Sequence, residues 1–463
     1  MANKNKETDY GRRRFLRNIG ILSGAGVIAS CGVKPTNDDN DTPQSGEMTM
    51  RVNPNTGDRV SLLGYGCMRL PTLGMANGTE DTTIDQEAVN QSVDYALKHG
   101  VNYFDTSPVY CQGQSEKVMG IALSRYPRDS YYIATKLSNF AEQIWPREKS
   151  IEMFENSLKN LRTDYIDYLL LHSVGQGGME RFSKRYLDNG ILDFLKERRT
   201  DGTIRNLGFS YHGDIAVFDY LLELMDKGEI HWDFVQIQLN YIDWHFADET
   251  NPVNTDAVYL YGELHKRGIP SVIMEPLLGG RLATVSQPIA AKMKARRPDD
   301  SIATWAFRYA GTPEDVLTVL SGMTYMEHLQ ENLKTFSPLD PITDDEDAFL
   351  QRIAVEIIEN KEIPCTDCKY CMPCPYGVDI PTVFKHYNKC IKNDNMPRNA
   401  TDPRYNEARK AFLYGYDLSV PRLRQADRCI GCGECKLHCP QNINIPDMMA
   451  KIDSYTDNLR KNK

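Results

Sequence analysis

The chain has 463 residues, of which 41 % are hydrophobic and 25 % charged, the composition of an ordinary globular protein with room for two domains. Its formal net charge of −9 at neutral pH argues against a nucleic-acid-binding protein. No apolar run approaches the roughly 20 residues that a membrane-spanning helix needs.

The N-terminal segment, residues 1–31, is predicted to be an export signal. Residues 12–17, RRRFLR, match the twin-arginine pattern. The uncharged stretch 19–30 has the length of a signal core. It ends in a lipobox-like sequence that predicts a lipid on Cys31, followed by a flexible polar tether over 32–50. We therefore expect twin-arginine export to the periplasm or cell envelope, with the membrane reached only through Cys31. A generic basic leader and a free thiol are the alternatives.

The central region, residues 51–340, alternates short apolar runs with amphipathic helical patterns. In the helical pattern over 84–100 the apolar side chains form one stripe, which ends just before Gly100. Eight strands alternating with helices predict a (β/α)8 barrel of the TIM type. A doubly wound sheet is the alternative, but no Gly-x-Gly-x-x-Gly turn follows an early strand. The predicted strands are 61–68, 102–107, 131–136, 166–173, 205–212, 234–241, 270–276 and 316–322.

Four polar side chains fall where predicted strands end, and in a barrel the C-terminal strand ends carry the chemistry. Asp105 and Tyr110 follow the second strand, Lys136 ends the third and His172 ends the fourth. A lysine ammonium beside a phenol lowers the pKa of that phenol, and an aspartate keeps the lysine charged. A histidine can orient a carbonyl group. The set is suited to protonating a carbonyl oxygen while hydride reaches its carbon.

Eight of the twelve cysteines lie in the last hundred residues, in two copies of one pattern. Both copies end in Cys-Pro and continue in related tails, YGVDIP and QNINIP. The first three cysteines recur at an offset of 64 and the fourth at 65, which indicates an internal duplication. The two runs are Cys365, Cys368, Cys371 and Cys374, then Cys429, Cys432, Cys435 and Cys439.

The spacing C-x2-C-x2-C-x3-C-P is that of [4Fe–4S] ligands, and zinc or a disulfide framework is the alternative. The duplication favours two clusters over one. In two-cluster ferredoxins the fourth cysteine of each run serves the other cluster, so Cys439 would complete the first and Cys374 the second. The first run departs from the pattern, because only two residues separate Cys371 from Cys374. Residues 341–463 are thus predicted to be a mostly helical ferredoxin-like iron–sulfur domain, with Cys390 a buried structural thiol.

The sequence resembles the aldo/keto reductase superfamily. GVNYFDTSPVY carries Asp105 and Tyr110, IATK carries Lys136, and LLLH carries His172, so all four members of the family tetrad match. The resemblance is closest to the subgroup with a C-terminal ferredoxin-type domain, in which CxYCMPCPxGVDIP is characteristic. It implies hydride transfer between a nicotinamide and a carbonyl or alcohol substrate, with Tyr110 as the acid–base group.

The resemblance also implies that NAD or NADP lies across the strand ends. Gly322 and His328 stand where the family usually has basic side chains for the 2′-phosphate, which favours NAD or weak discrimination. The residues at the family's other cofactor positions are Ser210, Gln236, Met274, Glu331 and Asn332.

These features together predict an exported aldo/keto reductase-type oxidoreductase. Its iron–sulfur clusters would exchange electrons with a redox partner whose identity the sequence does not reveal. The alternative is an exported electron-transfer or docking lipoprotein, in which the barrel is a binding scaffold rather than a reductase.

Overall fold

The computed structural model describes residues 46–77, 81–359, 362–397, 401 and 403–461. The predicted export signal, Cys31 and residues 32–45 of the predicted tether lie outside these residues. Eight parallel strands, β3 to β10, close into a barrel in sequence order, which confirms the predicted fold class. The strands are β1 Met50–Val52, β2 Arg59–Ser61, β3 Leu63–Gly66, β4 Tyr103–Asp105, β5 Tyr132–Leu137, β6 Ile166–Val174, β7 Ile204–Tyr211, β8 Phe234–Gln238, β9 Ser271–Met274 and β10 Val316–Ser321.

Aromatic side chains fill the interior of the barrel. The ring centroids of Tyr103 and Tyr168 lie 5.1 Å apart, and those of Tyr168 and Phe234 lie 5.0 Å apart. A Cβ at Gly208 would collide with the carbonyl oxygen of Phe234, so the close approach of β7 and β8 requires glycine there. Because the interior is packed, polar chemistry is confined to the ends of the strands.

A short antiparallel hairpin, β1–β2, closes the N-terminal end of the barrel and was not predicted from the sequence. Asn53 Nδ2 donates to Asn206 Oδ1 at 3.2 Å and to the hydroxyl of Tyr168 at 3.3 Å. That hydroxyl donates in turn to Asp58 Oδ2 at 2.8 Å. The hairpin leaves the C-terminal strand ends as the open face of the barrel.

Helices surround the barrel, and the predicted helix near residues 84–100 begins after Asp85, whose side chain accepts from the Ala88 N–H. Val89 and Val93 are buried on its inner face, and Gly100, with φ of 87°, follows its end. Among the described residues, no helix has the length and apolar character to cross a membrane. The helices are α1 Leu73–Asn77, α2 Gln86–Lys98, α3 Ser115–Leu123, α4 Arg147–Leu161, α5 Gly178–Phe182, α6 Ile191–Thr200, α7 Ile215–Asp226, α8 Asp243–Thr250, α9 Ala257–Lys266, α10 Gln287–Arg296, α11 Ile302–Gly311, α12 Met326–Phe336, α13 Asp344–Glu359, α14 Ile380–Lys392, α15 Tyr405–Ser419 and α16 Ile445–Lys461.

The C-terminal module has its own hydrophobic core, formed between α14, α15 and α16. Each cysteine run is followed by a helix that begins at an Ile-Pro pair, at Ile380 and at Ile445, so the duplication seen in the sequence is also structural. Cys390 is buried in this core with its sulfur 3.4 Å from His386 Nε2, as expected of a structural thiol.

Helix α13 lies between the barrel and this module in sequence, and it packs into the core of the barrel. Phe349, Leu350 and Ile353 are buried there. Arg308 of α11 is buried and bonds both oxygens of Glu346 on α13 at 3.0 and 3.1 Å. The predicted division at residue 340 therefore falls before a helix that packs with the barrel.

Candidate active site

The four predicted catalytic side chains meet at the C-terminal end of the barrel. Lys136 Nζ lies 2.6 Å from Asp105 Oδ1 and donates to the Thr106 carbonyl at 2.9 Å. The same ammonium lies 4.7 Å from the centre of the Tyr110 ring. The rings of Tyr110 and His172 meet edge to face with centroids 6.0 Å apart. Strands β4, β5 and β6 thus bring together residues that are far apart in sequence.

Tyr110 is held by a tightly turned loop after β4. Cys111 and Gln112, which follow it, have left-handed φ values of 50° and 56°. Strained backbone of this kind persists only where surrounding contacts hold it, and it concentrates at functional sites. A 2.7 Å hydrogen bond between the hydroxyls of Thr106 and Ser115 joins the two ends of the loop.

Burial raises the pKa of Tyr110 well above its usual value, and the nearby Asp105 carboxylate adds to the rise. The sequence predicted the opposite direction, a phenol pKa lowered by Lys136. The prediction was wrong because the ammonium is paired with Asp105 and burial disfavours the phenolate more strongly. Tyr110 is therefore a neutral proton donor in this structure.

His172 is also neutral. Burial lowers the pKa of its imidazole well below 6.5, and the positive charges of Lys136 and Arg185 lower it further. The Nδ1 atom lies 2.6 Å from Ser138 Oγ, which fixes the plane of the ring. Phe140 packs against that ring with centroids 4.8 Å apart. An imidazole held in this way can orient a carbonyl but does not exchange a proton near neutral pH.

A buried arginine, Arg185, stabilises the site through hydrogen bonds around His172. This role was not predicted from the sequence. Arg185 donates to the His172 carbonyl at 2.7 Å, to the Tyr186 hydroxyl at 2.8 Å and to Asn139 Oδ1 at 3.1 Å. Tyr186 in turn accepts from the His172 N–H at 3.0 Å. The segment after β6 thus folds inward and fixes the backbone at His172. Its sequence, rich in glycine and charge, looks like an exposed loop.

A half-buried carboxyl group, also missed, lies at the end of β9. Glu275 directly follows β9 with a φ of 54°, and burial raises the pKa of its side chain. Asn240 Nδ2 donates to the Glu275 carbonyl at 3.0 Å and to Asp243 Oδ2 at 2.8 Å. Burial raises the pKa of Asp243 to about 7. Two carboxyl groups with raised pKa values thus lie just after β8 and β9, and perturbed acids of this kind are frequent at functional sites.

The predicted nicotinamide positions occupy the ends of β7 to β10 and the helix after them. Gln236 Oε1 is buried without a hydrogen-bond partner among the described residues, so it can accept from a carboxamide. Ser210 Oγ accepts from the Ser173 N–H at 2.8 Å, and Met274 is half-buried at the end of β9. Asn332 Nδ2 bonds Ser321 Oγ at 2.9 Å, whereas Glu331 is exposed. The unpaired Oε1 of Gln236 is the feature that fits a nicotinamide.

Four cysteines, here called the inner cysteine group, gather beside the barrel mouth. Burial raises the pKa of Cys365 to about 12, and the neighbouring thiols of Cys368 and Cys439 contribute to the rise. Burial likewise raises the pKa of Cys368 to about 11, with contributions from Cys439 and from Glu275 of the barrel. Cys371 responds to the same three thiols. The inner cysteine group is Cys365, Cys368, Cys371 and Cys439.

The other four cysteines are here called the outer cysteine group. Burial raises the pKa of Cys435 to about 11, and Cys429, Cys374 and Cys432 add to the rise. All four line a cavity of about 310 Å³, and Cys432 is exposed to solvent. Cys371 lines this cavity as well, so the crossed pairing expected from ferredoxins, with Cys374 in one group and Cys439 in the other, stays a prediction. The outer cysteine group is Cys374, Cys429, Cys432 and Cys435.

Within the described residues, no three His, Cys, Asp or Glu side chains converge closely enough to share one metal ion. A four-iron cluster takes one thiolate at each iron, so its ligands stand around a larger body. The outer cavity provides such a space, and the donor set of each group is four thiols. These residues fit iron–sulfur clusters.

Two families match the two parts of the chain. The Aldo/keto reductase family matches residues 63–353, more than half of the chain. The 4Fe-4S dicluster domain matches residues 364–443, which contain all eight cysteines of the two groups. The match to the first family runs through most of α13, in agreement with the packing of that helix on the barrel.

Several curated and solved proteins are similar to the barrel. L-galactose dehydrogenase of Arabidopsis thaliana is 24 % identical over 335 residues, covering 69 % of this chain and 98 % of its own. NADH-specific methylglyoxal reductase of Escherichia coli is 24 % identical over 316 residues, covering 60 % and 90 %. The solved structure of aldo-keto reductase AKR11C1 from Bacillus halodurans has a TM-score of 0.51 at 23 % identity, covering 66 % of this chain and 96 % of that protein. At that identity the structural likeness shows the fold alone.

Proposed function

Because this chain belongs to the aldo/keto reductase family, we propose that it is an oxidoreductase in which Tyr110 protonates a carbonyl substrate while hydride arrives from NADH or NADPH. Two [4Fe–4S] clusters in the C-terminal module exchange electrons with a redox partner. The observation that carries the proposal is the meeting of Asp105, Tyr110, Lys136 and His172 at one end of the barrel.

The proton moves from Tyr110 to the carbonyl oxygen. Since burial keeps the phenol protonated, it acts as an acid in the reduction direction. As negative charge develops on the phenol oxygen, the Lys136 ammonium above the ring stabilises it more than it stabilises the neutral phenol. Asp105 holds that ammonium in place.

The carbonyl is oriented by His172, because the neutral ring is fixed by Ser138 and can present Nε2 to the substrate oxygen. Gln236 would hold the carboxamide of the nicotinamide, with Met274 against the ring and Ser210, Glu331 and Asn332 at the remaining positions. The nicotinamide supplies a hydride when bound. Gly322 and His328 leave the 2′-phosphate positions without lysine or arginine, which supports NADH as the preferred donor.

The test is reduction of small aldehydes by anaerobically purified protein, with NADH and NADPH compared at equal concentration. Methylglyoxal is a suitable first substrate, since a similar protein is named as an NADH-specific reductase of it. Tyr110→Phe should lower kcat at least a hundredfold, in the range of lost general acid catalysis. Tyr259→Phe, on the outer helix α9, is the control. Unchanged turnover in Tyr110→Phe would refute the assignment and favour a barrel that only binds.

Two clusters, rather than one, are supported by the two separate cysteine groups. Each group supplies four thiols, which suffices for one cubane. A bound cluster supplies single electrons. The exposed Cys432 places the outer group where a partner protein can approach, and the loop that carries most of the inner group contacts the barrel through Thr366. Iron and sulfide analysis of anaerobic protein should give about eight of each per chain. About four would mean a single cluster.

Export to the cell envelope is proposed from the sequence of residues 1–31. The double substitution Arg12→Lys with Arg13→Lys should leave the precursor in the cytoplasm, because twin-arginine export recognises the paired guanidinium groups. Cys31→Ala should abolish labelling by radioactive palmitate without stopping export. Envelope localisation that survives the double lysine substitution would refute the route.

A further inference from the structure

An apolar patch of surface surrounds the outer cysteine group. Among the described residues, the four large apolar side chains with the greatest exposure all belong to the C-terminal module. Tyr376 and Ile430 line the cavity of the outer group and are 49 % and 62 % exposed. Leu437 is 73 % exposed and directly precedes His438, which lines the same cavity. Single apolar side chains are common on protein surfaces, but several around one opening mark an interaction site.

A fourth apolar side chain is brought to this opening by a contact between two segments. The Asp379 N–H donates to the Arg424 carbonyl oxygen at 3.0 Å. A Cβ at Gly377 would lie 3.9 Å from the carbonyl oxygen of Leu423. Residues 421–424 therefore run beside the tail of the first cysteine run, and Leu423 is 71 % exposed there. The apolar rim is defined here as Tyr376, Leu423, Ile430 and Leu437.

The surface around the apolar rim carries positive charge, in contrast to the chain as a whole. Residues 420–440 hold four arginine or lysine side chains and two acidic ones, a net of +2, whereas the whole chain carries −9. Arg428 and Lys436 are exposed, and each is the direct neighbour of an outer cysteine, Cys429 and Cys435. An acidic protein is therefore attracted to this part of an otherwise acidic molecule.

We propose that the apolar rim, together with Arg428 and Lys436, is the docking surface for a small acidic electron-carrier protein. The inference rests on the proposed function for the cluster that the outer cysteines hold. One electron passes between that cluster and the redox centre of the carrier, so that one is oxidised as the other is reduced, and no bond forms or breaks. The exposed Cys432 brings a ligand of the cluster to the surface on which the carrier docks.

The arrangement suits a brief contact with a protein. An apolar centre with a charged border is the usual anatomy of a protein–protein interface. Electron-transfer complexes bury less than about 1,200 Å², so a few apolar side chains suffice for the centre. A lipid surface also attracts apolar and basic side chains, but here they surround a cavity, and two exposed acids, Asp427 and Glu434, stand among them. These features favour a protein partner over a membrane.

The test measures electron transfer from the full-length, dithionite-reduced protein, freed of dithionite and without nucleotide. The acceptors are two c-type cytochromes of similar driving force, one acidic and one basic, and stopped-flow absorbance gives the second-order rate constants. The acidic cytochrome should react at least about tenfold faster at low ionic strength, and its advantage should shrink as salt is added. Lys436→Glu and Leu437→Ser should each lower its rate constant about fivefold to tenfold.

The controls are Lys294→Glu and Val355→Ser, which make the same changes at exposed positions on helices packed against the barrel. Iron and sulfide are measured for each variant, so that loss of a cluster is recognised. Equal rate constants for the two cytochromes, or rim variants as fast as the controls, overturn the docking surface and leave the proposed function standing. Protein without reducible iron refutes the proposed clusters and the docking surface together.

Two other occupants of the apolar rim are distinguished by binding measurements. Cosedimentation with phosphatidylglycerol vesicles that is lost in Leu437→Ser would assign the surface to a membrane. A dimer in sedimentation velocity that dissociates in Leu437→Ser would assign it to a second copy of the chain. Either result overturns the proposed carrier, whereas a monomer that does not bind the vesicles supports it.

Discussion

Lys136 and Asp105 form a 2.6 Å ion pair in which both side chains are almost completely buried, at 1 % and 4 % exposure. Only one oxygen of the carboxylate is used, since Asp105 Oδ2 has no hydrogen-bond partner among the described residues. A buried pair of this kind costs desolvation energy and is weak evidence for a stabilising role. Its position above the Tyr110 ring indicates that the charge is retained for the reaction.

Substitutions in this ion pair should affect the stability of the fold and the reductase activity differently. Lys136→Met leaves Asp105 buried and unpaired, which should reduce the free energy of unfolding by about 3–5 kcal/mol and abolish reduction. Adding Asp105→Asn removes the orphaned charge and should restore much of the melting temperature while activity stays lost. A double variant that is no more stable than the single variant would show that the pair stabilises the fold itself.

The pH dependence of reduction should be flat across the neutral range. Burial raises the pKa of Tyr110 above 10, so the proton donor stays loaded as pH rises, and burial lowers the pKa of His172 below 6.5, so that ring stays neutral. We expect kcat/KM for carbonyl reduction to be constant between about pH 6 and 9. A change in kcat/KM with a midpoint near pH 6.5 that disappears in His172→Gln would contradict a neutral His172.

The hydrogen bond from Ser138 to His172 should matter for orientation and not for folding. Ser138→Ala frees the imidazole plane, and misplacement of an orienting group costs roughly tenfold to a hundredfold in kcat. Ser124→Ala, at the exposed end of α3, removes a comparable hydroxyl far from the site. Equal kcat values for the two alanine variants would mean that packing by Phe140 alone orients the ring.

Helix α13 offers a matched pair of ionic contacts. Glu346 is bonded by Arg297 and the buried Arg308, which together lower its pKa from 4.5 to about 2, whereas Glu356 pairs with Lys292 on the surface. Glu346→Gln should cost about 3 kcal/mol and Glu356→Gln less than about 1 kcal/mol.

The direction of the Glu346 shift also predicts its pH dependence. A carboxyl whose pKa is depressed on folding contributes stability above its unfolded pKa, and that contribution is lost only as pH falls toward 2. The difference in melting temperature between Glu346→Gln and wild type should therefore be the same at pH 6 and pH 8. A difference that shrinks between these values would point to another titrating group.

Cysteine substitutions distinguish crossed from uncrossed ligation. If the fourth cysteines cross over, Cys374→Ser impairs the cluster exposed to solvent and Cys439→Ser impairs the one beside the barrel. Each variant should lose about half of its iron and leave the other cluster's spectrum intact. Cys390→Ser, in the buried helical spacer, should retain all of the iron. Loss of the spectrum of the cluster beside the barrel in Cys374→Ser would refute the crossed ligation.

The barrel and the tetrad could be predicted from the sequence because both are encoded locally. Apolar runs in the sequence indicate where the strands begin and end. Reactive groups such as Lys136 and His172 lie at strand ends that can be located in this way. The iron–sulfur domain was also predictable, since the two cysteine runs repeat one spacing within a duplicated unit. The crossed pairing of Cys374 and Cys439 stays a prediction. The short β1–β2 hairpin was not predicted, because strands of three residues show almost no alternation of apolar and polar residues.

Other parts of the site depend on contacts that no local pattern records. Arg185 lies in a polar segment that reads as an exposed loop, and only the fold turns its guanidinium toward His172. Arg69 and Thr366 are far apart in the sequence and meet because the C-terminal module docks on the barrel. The pKa of Tyr110 was mispredicted for a related reason, since proximity to Lys136 could be inferred but the extent of burial could not.

The duplicated cysteine loops have nearly the same ligands and quite different surroundings. The first loop contacts the barrel through Thr366 and Arg69, and the second is exposed to solvent at Cys432. Reduction potentials of iron–sulfur clusters follow solvent exposure and nearby charge as well as ligand type. Docking on one side alone would therefore give two chemically equivalent halves unequal potentials. Electrons would then pass preferentially from one cluster to the other, although the two cysteine loops supply nearly the same ligands.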